Sequence, residues 1–287
     1  MKRGVHCILL LAVVLFTSST SPFTYADNIY VACGGNNTIY KFNSSGNMSV
    51  FASVSSSPYG VALDSSGNLY VSEIYNGTID KFSSSGNMSI FASRLDRPTG
   101  LAFDSIGNLY MTSAEFDTAK INKFDSSGNM SVFASGLNYP TGLAFDRSGY
   151  LYVSDSLNNR IDKFDSSGNM SVFASGVNYP TGLAFDSSGN LYVATWNTDN
   201  IYKLNSSGNM SVFASGLDHT SGLAFDSSGN LYVSDTLNGR IVKLDSSGNI
   251  SVFASGLSEP AFIATQVPEP ATLLLLGLGA VIAVRKR

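Results

Sequence analysis

The sequence has little charge, little sulfur and almost no histidine. Asp, Glu, Lys and Arg make up 13% of its 287 residues, whereas 44% are hydrophobic. That balance suits one large, well-buried domain better than two packed ones. Only two cysteines occur, and Cys7 falls in a leader segment, leaving Cys33 alone. An intramolecular disulfide is thereby excluded, so stability has to come from packing and ring closure. Cys33 ends a predicted strand and reads as a partly buried, inert thiol. Long apolar runs are missing too: the longest at the C-terminus, 272–284, falls short of the roughly 20 residues of an ordinary membrane-spanning helix.

What the chain does have is repetition. The stretch Pro140-Thr141-Gly142-Leu143-Ala144-Phe145-Asp146 returns almost verbatim, with its glycine at Gly60, Gly100, Gly142, Gly182 and Gly222 and with Phe262 in the slot after that. A fixed period of about 40 residues marks a repeat architecture. In the clearest copy, four short apolar runs, 142–145, 151–154, 161–164 and 170–174, read as strands a to d. Asp-x-Ser-Gly turns join a to b and c to d, supplying the Asx-turn and positive-φ glycine of tight hairpins. Four strands per 40 residues, repeated, predict an all-β propeller of four-stranded antiparallel blades, with no room for helices.

Strand b begins at Ile29, Leu69, Leu109, Leu151, Leu191 and Leu231, which gives six blades. The first copy lacks a strand a, and Pro260-Ala261-Phe262-Ile263-Ala264-Thr265 supplies it, so the C-terminal strand is expected to join the first blade and close the ring. One copy is two residues longer, which places an insertion at 113–120, in the b-to-c loop of the third blade.

The repeat resembles the NHL family, whose units carry Pro-x-Gly-apolar-Ala-x-Asp followed by Tyr-Val-x-Asp-x-x-Asn-x-Arg-Ile. Asp155, Asn158 and Arg160 match it, as do Asp235, Asn238 and Arg240; Glu73 and Thr195 replace the Asp elsewhere, and Thr78 and Asn200 the Arg. The resemblance implies the fold more firmly than an activity.

Both ends read as export signals. Lys2 and Arg3, the apolar core 7–16 and Thr24-Tyr25-Ala26 form a secretory signal with cleavage expected after Ala26. The domain plan is therefore a signal peptide at 1–26, a propeller at 27–266 and a tail at 267–287. That tail, with Pro268, Glu269 and Pro270, a short apolar transmembrane span and Arg285-Lys286-Arg287, resembles a PEP-CTERM sorting signal of exopolysaccharide-producing bacteria. The resemblance implies an exosortase-type processing enzyme, a transient stay in the inner membrane, and release to the cell surface or beyond.

Strand direction sorts the loops onto two faces. The a-to-b and c-to-d turns are nearly uniform, and carboxylates such as Asp64, Asp146 and Asp226 read as turn residues bonding their own backbone rather than as calcium ligands. The copies differ on the opposite face. There the candidate ligand residues are Arg97, Tyr139, Tyr179, Trp196, His219 and Glu259, and the b-to-c loops add Tyr75, Phe116, Asn158, Asp199 and Arg240. Variation on a rigid scaffold fits binding, and it equally fits drift of exposed loops.

Catalytic chemistry is harder to find. Resemblance to gluconolactonase-like propellers would place a divalent cation at Tyr59, Thr99, Thr141, Thr181, Ser221 and Ala261, none of which is a carboxylate or amide. Streptogramin-lyase propellers, another relative by resemblance, use His and Glu; here Asp218, His219 and Glu259 are the available set, thin for a metal site. No catalytic residue, metal or cofactor is therefore assigned, and a metal-dependent hydrolase or lyase stands as the alternative. Removing both ends takes five basic residues from 17 and one acidic residue from 21, leaving 12 against 20, a formal charge of −8. A net acidic exported domain repels nucleic acid. The expectation is a monomeric binding or scaffold propeller whose partner is a polysaccharide or a surface protein.

Overall fold

The computed structural model describes residues 27–266 except 116 and 117. Twenty-four strands form six four-stranded antiparallel sheets, the blades of a propeller. Blade four shows the pattern: Pro140–Phe145 (a), Leu151–Asp155 (b), Arg160–Phe164 (c) and Met170–Ser175 (d), paired in that order. The only helical pieces among the described residues are single 3-10 turns at Gly34–Asn36 and Ser156–Asn158, both in b-to-c loops. The third blade carries the longer b-to-c loop between Leu109–Ser113 and Lys120–Phe124.

The ring closes as the repeat predicts. Strand Pro260–Gln266 is the inner strand of blade one and pairs antiparallel with Asn28–Cys33, with Ile29 opposite Thr265 and Val31 opposite Ile263. Strands a are innermost, and each contacts the strands a of its two neighbours around a central channel.

Blades are glued by a repeated aromatic cluster. Tyr152 on strand b meets Phe173 of its own strand d edge-on at 4.9 Å and Phe185 of the next blade's strand a at 5.0 Å, with Lys163 Nζ 5.1 Å from the same ring. Tyr70, Tyr110 and Tyr192 repeat both ring contacts. Such pairs add about 0.5–1.5 kcal/mol each beyond burial. The outer phenylalanine reaches inward because every c–d pair has a register shift at that point, as between Ile161 and Asp162 in blade four. A bulge of this kind turns the side chain out of the strand alternation and blunts the outer edge against pairing with other chains.

The recurrent glycine of strand a marks close approach. A Cβ at Gly142 would run into the Thr181 carbonyl oxygen of the next blade. Small hydroxyls close the rest of the channel edge: Thr112 donates to Thr141 O at 2.9 Å, Ser72 to Thr99 O at 2.6 Å, and Thr181 to Thr220 O at 2.9 Å. Carbonyls on these inner strands that would otherwise be left unpaired are thus satisfied from the neighbouring blade. Cys33 is fully buried and unbridged; burial pushes its thiol up to about 12, which leaves no thiolate for chemistry at neutral pH.

Candidate ligand site at the channel mouth

The NHL-type polar residues turn out to be scaffold. Buried Asp155 accepts from Asn138 N at 2.6 Å, from Asn158 Nδ2 at 2.7 Å and from Arg160 Nε at 3.1 Å, tying the b-to-c loop to the d-to-a loop of its blade. Asp235 does the same with Asp218 N, Asn238 and Arg240. Asn158 and Arg240, grouped in the sequence with variable loop residues, are therefore structural. In the turns of the opposite face, Asp165 Oδ1 accepts from Ser167 N and Asn169 N, both at 2.9 Å, and the bonds from Asn169 hold its carboxyl below the usual range.

With the loops so fixed, the residue before strand a is held in an unusual backbone. Arg97, Tyr139, Tyr179, His219 and Glu259 have φ of 40°, 55°, 48°, 53° and 50°. A residue with a Cβ loses about 1–2 kcal/mol in this left-handed region, and four of the five precede proline, which disfavours helical backbone further. The loops are over-determined by side-chain acceptors: Tyr179 N donates to Asn159 Oδ1 at 2.9 Å and His219 N to Asp199 Oδ1 at 2.8 Å. Large side chains at positions suited to glycine or asparagine are the outlier from which a functional site is argued.

These side chains converge. A cavity of about 230 Å³ at the channel mouth is lined by Tyr59, Tyr75, Arg97, Tyr139, Tyr179, Trp196 and Glu259, with Thr141, Thr181, Ser221 and Ala261 below. The Tyr139 and Tyr179 rings lie 6.3 Å apart at 44°. Burial, helped by the nearby phenols of Tyr139 and Tyr179, pushes the Tyr59 phenol up, and burial does the same to Tyr179, helped by Tyr139. Arg97 is half-buried and its Nε is enclosed with no hydrogen-bond partner among the described residues. Glu259 is exposed at the rim.

Five of the six candidate residues thus line one cavity. His219 stands beside it, its ring edge-on to Trp196 at 4.6 Å and its Nδ1 2.6 Å from Asp218 Oδ1. The carboxylates grouped with His219 are Asp199 and Asp218, with donor atoms within 4.8 Å of one another. Asp199 thus takes the place expected for Glu259, because the b-to-c loop of blade five folds back over the d-to-a loop of blade six. Phe116 lies outside the described residues, as do Ala26 and the sorting residues Pro268, Glu269 and Pro270. Among the described residues no helix is long and apolar enough to cross a membrane, and the run 272–284 lies outside them.

The channel floor does not fit a hard cation. Thr141 shares a hydrogen bond with Ser156 and donates to Pro180 O, and Ser221 pairs with Thr236 and donates to Ala261 O at 3.0 Å. Neutral hydroxyls whose protons are held by interblade carbonyls bring no charge to a hard cation, which is bound chiefly by carboxylate oxygens.

Comparison with known proteins places this geometry. A model described as the virginiamycin B lyase family matches residues 44–265, most of the chain. The chain belongs to the virginiamycin B lyase family. A PEP-CTERM protein-sorting motif matches residues 266–287; it marks this family member as exported and implies an exosortase-type processing enzyme. Similar solved structures include a chain of the nidogen/laminin complex, 21% identical with a TM-score of 0.77 over 85% of this chain and 100% of that one. A catalytically inactive histidine-to-alanine virginiamycin B lyase from Staphylococcus aureus with quinupristin is 15% identical, TM-score 0.63, over 83% and 92%. A gluconolactonase from Xanthomonas campestris is 19% identical, TM-score 0.64, over 70% and 76%. At these identities the shared property is the fold. No curated protein matches the sequence.

Proposed function

We propose that this family member is a binding propeller rather than an enzyme, and that its channel mouth holds a chain-like ligand of the cell surface or extracellular matrix, a polysaccharide or the exposed part of a surface protein. The observation that carries this reading is the ring of Arg97, Tyr139, Tyr179 and Glu259 in left-handed backbone around an aromatic cavity, where strain is accepted to aim large side chains inward. Tyrosine and tryptophan supply wide, rigid contact at low entropic cost, and such anchors are commonly worth about 1–2 kcal/mol or more each when truncated. The complex of nidogen with laminin is a precedent for the fold in a non-covalent assembly.

In this reading the signal is removed after Ala26, residues 27–266 act as a monomeric propeller, and the tail is cut near Pro268-Glu269-Pro270 after passing through the inner membrane. Both ends of the described chain, Asp27 and Gln266, lie on the turn face, opposite the cavity. A glycan-array and surface-peptide screen of wild type against a Tyr139→Ala/Tyr179→Ala variant tests the proposal: a bound partner lost in the variant supports it, and unchanged binding sinks it.

The second reading is a lyase. It draws on family membership and on the group of Asp199, Asp218 and His219 beside the cavity. Against it, Glu259 is not among the groups gathered around His219, where Asp218 holds Nδ1 and leaves Nε2 as the atom that could act as a base. Divalent-cation binding abolished by His219→Ala, together with turnover of a cyclic ester, would decide for this reading.

A further inference from the structure

We propose that the ligand of the channel mouth is an acidic glycan, and that Arg97 selects the carboxylate of a hexuronate unit. The inference rests on the binding role proposed above and narrows it to a substrate class. Its first support is Arg97 itself. Among the described residues the guanidinium is the one cation lining the cavity, and its Nε is buried there without an acceptor. A planar fork with an unused donor matches the two oxygens of a carboxylate. Leaving such a donor buried and unpaired is costly, so a site that does so is shaped for an acceptor that arrives with the ligand.

The second support is the company Arg97 keeps. Tyr59, Tyr139 and Tyr179 bring three phenols into the same cavity, where burial, helped by the neighbouring phenols, pushes those of Tyr59 and Tyr179 up. The hydroxyls of Tyr59 and Tyr179 keep their protons to offer an oxygen, while the tyrosine faces and that of Trp196 offer flat apolar area to the C–H faces of a sugar ring. Among the described residues Glu259 is the one anion lining the cavity, and it is exposed at the rim. At the rim it can accept from sugar hydroxyls without neutralising the cation.

A peptide carboxylate is less well served. Extended peptides bind by adding to an open strand edge, but five of the six inner edges here carry an occupied carbonyl: Thr99 O by Ser72, Thr141 O by Thr112, Pro180 O by Ser156, Thr220 O by Thr181 and Pro260 O by Thr236. The cavity therefore offers rings and hydroxyls but no backbone ladder.

Titration calorimetry of the full chain with oligomers of galacturonate, mannuronate and guluronate, each beside its methyl ester, tests the inference. The expected result is at least one acid binding about tenfold or more tighter than its ester, with the gap shrinking as salt rises. Arg97→Gln should reduce that gap to less than about twofold. Arg97→Lys, which keeps the charge and loses the fork, should fall between; it also serves as the reference should the glutamine variant melt early. Glu259→Gln should widen the gap between acid and ester a few-fold. Equal binding of acid and ester by wild type overturns the inference and leaves the binding role standing. Binding of acidic peptides in preference to every uronate overturns it in favour of a protein partner. Binding of no glycan at all overturns it together with the glycan form of the proposed function.

Discussion

The side-chain amide of Asn28 donates to Gln266 Oε1 at 2.9 Å across 238 positions of sequence. Beside it, Asp27 Oδ2 accepts from both the backbone and the hydroxyl of Ser227 at 2.8 and 2.7 Å, locking the same corner onto blade six. Ring closure is thus a polar clamp over an apolar seam in which Ile29, Val31 and Ile263 share one cluster.

Closure should dominate stability. Deleting residues 260–266 removes the inner strand of blade one and opens an edge, and the protein is expected to aggregate or unfold. The milder Ile263→Ala should cost about 2–4 kcal/mol in urea unfolding. A deletion variant that stays monomeric with unchanged melting would contradict the closed-ring account.

Backbone strain at the mouth gives a sharper test. Tyr179→Asn and Tyr179→Val both remove the ring, but asparagine tolerates the left-handed backbone and valine does not. The asparagine variant should be the more stable by about 1–2 kcal/mol, measured by chemical denaturation. Equal stability would mean that φ at position 179 is not held where the structure has it.

Blade two carries a pH dependence that its neighbours lack. Glu73 and Asp80 are both buried, and Thr78 stands where blade four has Arg160 between Asp155 and Asp162. Burial, with the hydrogen bond and negative charge of Glu73, raises Asp80 to about 7, whereas Arg160 works against the same effects on Asp162, which rises to about 6. An acid whose folded pKa is raised holds its proton longer in the folded state. Stability from Asp80 is therefore fully present below about pH 4 and is lost as pH rises to about 7, after which it is flat. Asp80→Asn should remove this slope and be more stable than wild type at pH 8 by about 1 kcal/mol or more. Thr78→Arg should move the midpoint of the slope down by about one pH unit. Thermal melts of the three proteins between pH 4 and pH 9 would show it, and parallel curves would refute the assignment.

The architecture was legible from the sequence because each level agreed with the next: the Gly142 period, the Asp146 and Asp165 turns, and the orphan strand at Pro260. The site was legible only as a set of residues where copies differ. Their convergence depends on the left-handed backbone at Arg97, Tyr139 and Tyr179, and a residue before proline is the last place where local preference would put it. Thr141, Thr181 and Ser221 occupy the positions of a metal-binding channel but are spent on interblade carbonyls, a use that only the spacing of blades reveals. Likewise Asp199, and not Glu259, joins His219, since that contact is set by how one loop lies over another blade.

The central claim is that ligands bind at the aromatic mouth, and the protein carries its own probe for it. Trp196 is the one tryptophan in the chain and lines the cavity. Titrating the full chain with any glycan or peptide found to bind should change Trp196 emission saturably, with the midpoint given by calorimetry. The change should disappear in Tyr139→Ala/Tyr179→Ala and persist when Ser187 and Ser188 of the opposite turns become alanine. Calorimetric binding that leaves Trp196 emission untouched, or that is lost with the serines and kept without the tyrosines, would contradict the account.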